Sequence, residues 1–137
     1  MSMWTKKKFI VVLLALGILG AMVGTAFATS NTVGGYLNSD GSLVRFNTWR
    51  THTYTGSITM NLYDITSGYT RLGLRNSSGV QFTDTIQWDW VPQQFNFNWA
   101  GQPSNQTFPY GTYFAFNGRM ASGYWWPDTY FEGTLWF

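Results

Sequence analysis

The sequence predicts an all-β fold, an antiparallel, jelly-roll-like β-sandwich of about seven to eight strands preceded by an N-terminal signal-peptide helix. Three observations carry this expectation. Beyond position 28, apolar and polar side chains alternate with the period of two that gives a strand one inward face. No stretch there has helical periodicity. Turn residues recur at roughly 8–12-residue spacing, and the crossover connections of a parallel sheet are not visible.

The first element is the leader. Lys6, Lys7 and Lys8 are the only lysines, and they precede an apolar run from Phe9 to Val23 that closes on Ala26-Phe27-Ala28. A basic segment, an apolar segment and an A-x-A-like site form the pattern of a secretory signal peptide. Residues 1–28 are therefore expected to be a signal peptide and residues 29–137 a single secreted domain, extracellular or at the cell surface, with no membrane contact after cleavage. Retention as an anchor is the alternative, since residues 9–28 approach the roughly 20 needed to cross a bilayer. Gly17, Gly20 and Gly24 weaken a spanning helix there.

Strands and turns follow in order. Asp40-Gly41 marks the first turn. Ile58, Met60 and Leu62 then alternate with Thr59, Asn61 and Tyr63. Turn signals return at Ser67-Gly68, Ser77-Ser78-Gly79 and Pro92. Phe95, Phe97 and Trp99 alternate with Asn96 and Asn98, and the segment Gly101 to Asn105 reads as a loop. Phe114 and Phe116 flank Ala115, and further turns are expected at Gly118 and Pro127-Asp128.

Small exported domains are often stapled by disulfides, but this chain has no cysteine. Packing must supply the stability, and aromatic residues, 20% of the chain, are its evident source. Without the leader, five arginines face six carboxylates. Arg45, Arg50, Arg71, Arg75 and Arg119 are scattered through the sequence, whereas a phosphate-binding surface needs clustered cations; nucleic acid is not expected as a partner.

Ile58 to Asp64, Thr70 to Gly79 and Phe108 to Phe116 resemble the strand order of bacterial pre-peptidase C-terminal domains, through a Leu-x-Leu-x-x-x-x-Gly turn and a Gly-x-Tyr strand start. The resemblance covers about two thirds of the segment after the leader. It implies a small secreted jelly-roll-like module acting in adhesion or substrate binding. Such modules usually accompany an enzyme.

Catalytic residues are not expected. His52 is the one histidine and sits in a Thr-rich run with no Gly-x-Ser-x-Gly elbow in the chain, so it reads as an exposed strand-edge residue. Asp89 and Glu132 could supply the two carboxyls of a glycosidase, but nothing in the sequence brings them together. No cofactor and no metal are expected. Asn38 to Ser42 superficially resembles the start of a calcium loop, yet Trp49 stands where the closing Glu belongs, so the segment reads as a turn.

Aromatics interleaved with amides and acids are the most suggestive feature. They occur at Gln87-Trp88-Asp89-Trp90, from Gln94 to Trp99, and at Tyr124-Trp125-Trp126-Pro127-Asp128. Flat rings pack on sugar C–H faces while Asn, Gln and Asp bond hydroxyls. Trp88, Trp90, Trp99, Tyr124, Trp125, Trp126 and Asp128 are thus the candidate ligand-binding residues, with Trp88 and Trp90 expected on one strand face. The expected partner is polysaccharide or another cell-envelope ligand. Self-association as a structural surface protein is the main alternative, because edge strands lacking Lys are poorly protected. A small outer-membrane barrel is a further one, suggested by the terminal Phe137.

Overall fold

The computed structural model describes residues 28–66, 69–121 and 129–137. Residues 1–27 of the expected signal peptide and the turns at Ser67-Gly68 and Pro127-Asp128 lie outside the described residues. The strands are β1 (Ser30–Leu37), β2 (Val44–Arg45), β3 (Arg50–Thr51), β4 (Thr59–Ile65), β5 (Thr70–Arg75), β6 (Ile86–Trp88), β7 (Gln93–Asn96), β8 (Tyr113–Met120) and β9 (Thr129–Trp136). There is no helix among the described residues.

Two antiparallel sheets share one core, the architecture of a β-sandwich. A four-stranded sheet has the order β1-β9-β4-β7, and a five-stranded sheet has β2-β8-β5-β6 with β3 also on β8. β2 pairs with Gly118 and Asn117 of β8, while β3 pairs with Phe114 and Tyr113, so the two short pieces run in line along one neighbour. They act as one interrupted strand, which brings the expected seven or eight to nine described segments. Both sheets are open, ending at β1 and β7 and at β2/β3 and β6.

Alternation decides which side chains fill the space between the sheets. Ile58, Met60 and Leu62 are fully buried, as their spacing predicts; Phe131 and Leu135 of the neighbouring β9 join them on the inner face, and Leu72 and Leu74 of β5 meet them from the other sheet. Edge-to-face ring pairs join the layers: Trp88 on Phe95 at 5.4 Å, Phe46 on Phe131 at 5.6 Å and Phe114 on Phe137 at 5.8 Å. Each such pair contributes about 0.5–1.5 kcal/mol beyond its buried area. Aromatic packing takes the place of disulfides.

The turns at Asp40-Gly41 and Ser77-Ser78-Gly79 are present, each with its glycine at positive φ. Asp40 Oδ1 accepts from the Ser42 N–H and hydroxyl, so the Asn38–Ser42 segment is the Asx-type turn expected there. Gly118 is a correction. It lies inside β8 rather than in a turn, because a Cβ there would meet Leu37 at 2.8 Å and Phe46 at 3.0 Å. Its missing side chain is the space those two residues occupy.

His52 is a second correction. It is buried, not exposed, with Nε2 3.1 Å from the Gly56 carbonyl and Nδ1 without a hydrogen-bond partner among the described residues. Just after β3, its backbone N–H and C=O bond Thr112 and Gly111, which turns the imidazole inward against Tyr54.

Candidate functional site

Three of the sequence candidates are described. Trp88 is 0% exposed; its ring packs on Phe95 and its Nε1–H donates to the Gln93 carbonyl at 2.9 Å, so it belongs to the core. β6 ends at Trp88, and Trp90, beyond that end, is 62% exposed. The two therefore do not share a strand face. Trp99 is half-buried, stacked on Phe108 at 5.0 Å, with Nε1–H donating to Thr107 O. Tyr124, Trp125, Trp126 and Asp128 lie outside the described residues.

The structure assembles a different aromatic and polar surface, on the outer side of the four-stranded sheet. Val33, Leu37, Phe131 and Leu135 point inward from β1 and β9, so the even-numbered residues of both strands point out. Registers then fix the rows. Ser30, Trp136, Thr59 and Asn96 lie side by side, and Thr32, Thr134, Asn61 and Gln94 form the next row. Gly34, Glu132 and Asp64 make the third, and Tyr36 opposite Tyr130 makes the fourth. The register of β4 shifts between Leu62 and Asp64, which leaves Tyr63 as the extra residue of a bulge. Bulges re-aim side chains, and this one adds an exposed ring beside Glu132.

Rings stand at both ends of this face and hydrogen-bonding groups lie between them. Tyr36 is 67% exposed and lies 5.2 Å from the Tyr130 ring. Six residues along β9, about 20 Å at strand rise, separate Tyr130 from the half-buried Trp136. Between them Glu132 accepts from two phenols, Tyr63 at 2.8 Å and Tyr130 at 2.5 Å. Gly34 leaves room for that bond, since a Cβ there would sit 3.1 Å from the Tyr130 hydroxyl. Near Trp136, the Thr59 hydroxyl donates to Asn96 Oδ1 at 2.6 Å and the Asn96 amide donates to Gln106.

The phenol bonds set the charge state of the centre. The Tyr130 hydroxyl, then that of Tyr63, holds the Glu132 carboxyl below its ordinary range. In return Tyr130 is pushed up to about 12 and Tyr63 is raised, each chiefly by its bond to Glu132. Glu132 is thus a fixed carboxylate acceptor at neutral pH. A glycosidase acid needs the opposite shift. Asp89, the partner weighed for it in the sequence, follows β6 in the other sheet and accepts from Gln87 at 2.6 Å.

The signal that could have found this face was the alternation in Thr129–Trp136 itself, where Tyr130, Glu132, Thr134 and Trp136 all fall on one side. Its neighbours are remote in sequence. The arginines behave the same way: scattered in the chain, Arg45, Arg71, Arg75 and Arg119 come together on the outer side of the five-stranded sheet through the pairings of β8 with β2 and β5. Comparison with family models, with curated proteins and with solved structures finds no match to this chain.

Proposed function

We propose that residues 29–137 are a secreted, non-catalytic module that binds polysaccharide on the outer face of the four-stranded sheet. One observation carries this reading: the exposed rings of Tyr36 and Tyr63 and the half-buried rings of Tyr130 and Trp136 border rows of amides, hydroxyls and carboxylates on one sheet face. Rings stack on sugar C–H faces while Asn61, Gln94 and Glu132 bond hydroxyls. Sites built on strands hold such groups more precisely than loops do. The strand orders β1-β9-β4-β7 and β2-β8-β5-β6 support a jelly-roll topology, and the kinship with pre-peptidase C-terminal-type modules belongs to the same proposal.

A second reading is self-association at the cell surface. It is favoured by β1, an eight-residue edge strand with no charged side chain. Titrating the protein with a panel of neutral and acidic polysaccharides, with tryptophan fluorescence and size-exclusion elution recorded together, separates the two. Saturable quenching by one glycan class at constant elution volume supports the binding module. Growth in size with concentration and no response to any glycan supports assembly and sinks the first reading.

A further inference from the structure

The row Gln87–Arg71–Arg119 crosses β6, β5 and β8 on the outer side of the five-stranded sheet, directly behind the face discussed above. Placing two guanidinium groups opposite each other on adjacent strands is destabilising in itself. Among the described residues no carboxylate forms an ion pair with Arg71 or Arg119. Asp89 and Asp84 are held by other donors. Asp89 accepts from Gln87, and Asp84 accepts from Asn98 and from the Gly101 N–H.

Geometry leaves the two forks available. Gln87 Oε1 accepts from Arg71 Nε at 2.8 Å, which fixes the orientation of that guanidinium and leaves its two terminal nitrogens without a protein partner among the described residues. Arg119 is exposed and has no hydrogen-bond partner among them. With Thr85 and Gln87, the two arginines line an open groove of about 350 Å³, within the size range of small-ligand sites. Arg45 lies in the adjacent row, opposite Asn117, and adds positive charge.

We propose that this groove is an anion site that takes the carboxylate or sulfate group of an acidic polysaccharide. Planar guanidinium forks match such oxyanions in bidentate geometry. The oxyanion explains why like charges are kept face to face on an otherwise sparsely charged chain. Nucleic acid fits less well, because this site offers two guanidinium groups and no lysine, too few to track a phosphate backbone. The polysaccharide carrier rests on the function proposed above; the anion site rests on the arginines alone.

The test compares the full chain with Arg71→Gln/Arg119→Gln and with the charge-preserving Arg71→Lys/Arg119→Lys, using polygalacturonate, dextran sulfate, uncharged dextran, inorganic sulfate and single-stranded DNA as probes. The proposal expects one acidic glycan to bind more tightly than dextran, and added salt to remove the difference. It expects the Gln pair to weaken that binding roughly tenfold or more, the loss typical of charged hydrogen bonds, and the Lys pair to recover part of it. Acidic glycan affinity unchanged in the Gln pair overturns the proposal. So does inorganic sulfate or DNA binding at least as tightly as either acidic glycan. Trp136→Ala read on the same probes separates the two sites: loss of dextran binding alone concerns the aromatic face, and loss of the salt-sensitive increment in the Gln pair concerns the groove.

Discussion

Arg75 is the residue whose replacement tests the packing logic most sharply. It is 4% exposed, and its Nη1 and Nη2 each donate at 2.6 Å to a backbone carbonyl, Phe116 O and Phe46 O respectively. Weaker contacts reach Asn117 Oδ1 at 3.3 Å and Asn47 Oδ1 at 3.2 Å, and the Trp49 ring lies 5.1 Å from Cζ. One planar fork therefore ties the 46–49 segment to β8. A hydrogen bond to a charged group is worth roughly 1.5–3 kcal/mol, so the two short bonds amount to about 3–6 kcal/mol. Part of this is offset because burial penalises the guanidinium, whose pKa is lowered chiefly for that reason. Arg75→Met, which removes the charge along with the bonds, is expected to cost about 2–4 kcal/mol. Arg75→Lys keeps a buried charge but cannot bridge both carbonyls, and is expected to cost at least as much. Urea unfolding at constant m-value reads both numbers. A lysine variant within about 0.5 kcal/mol of the parent, the range of a surface substitution, refutes the reasoning.

Other consequences are testable with the same material. Gly118→Ala pushes a methyl group against Leu37 and Phe46 in a filled core and should lower stability by about 1–3 kcal/mol, seen as a lower urea midpoint. His52 has its pKa lowered below 6.5, first by burial, with the bond to the Gly56 carbonyl opposing. Below pH 6.5 the unfolded chain takes up a proton that the folded chain resists, so stability should fall as pH drops through 6.5 towards the lower folded value and then level off. A His52→Gln variant should lack that step in a plot of Tm against pH. Tyr130→Phe should raise the Glu132 titration midpoint more than Tyr63→Phe, measured by carboxyl carbon NMR, because the Tyr130 bond is the larger cause of its depression.

The inward faces were legible in the sequence because a strand writes its burial locally. Ile58, Met60 and Leu62 occupy alternate positions, and their burial needs no knowledge of partners. The turns at Gly41 and Gly79 were equally local. What failed depended on where a strand stops. Trp88 and Trp90 are two apart, but β6 ends between them, so one ring entered the core and the other remained outside. Gly118 looked like a turn until the packing of Leu37 and Phe46 against it was known. The outer face of the four-stranded sheet was not legible as a unit, since its rows join β1, β9, β4 and β7, contributed by segments up to about a hundred residues apart. The arginine groove escaped for the same reason: Arg71 and Arg119 meet only through the β5–β8 register.

Glycan binding on the outer face of the four-stranded sheet is best read by calorimetric titration of aromatic variants on and off that face. Trp136 lies on that face, while Trp90 is exposed beyond β6. With the polysaccharide that gives the strongest response, Trp136→Ala and Tyr36→Ala should each weaken binding by about 1–2 kcal/mol, the scale of an aromatic hot spot, and Trp90→Ala should leave it unchanged. Full affinity in Trp136→Ala and Tyr36→Ala, with loss in Trp90→Ala or Trp126→Ala, would contradict the account and return the site to the residues the sequence first singled out.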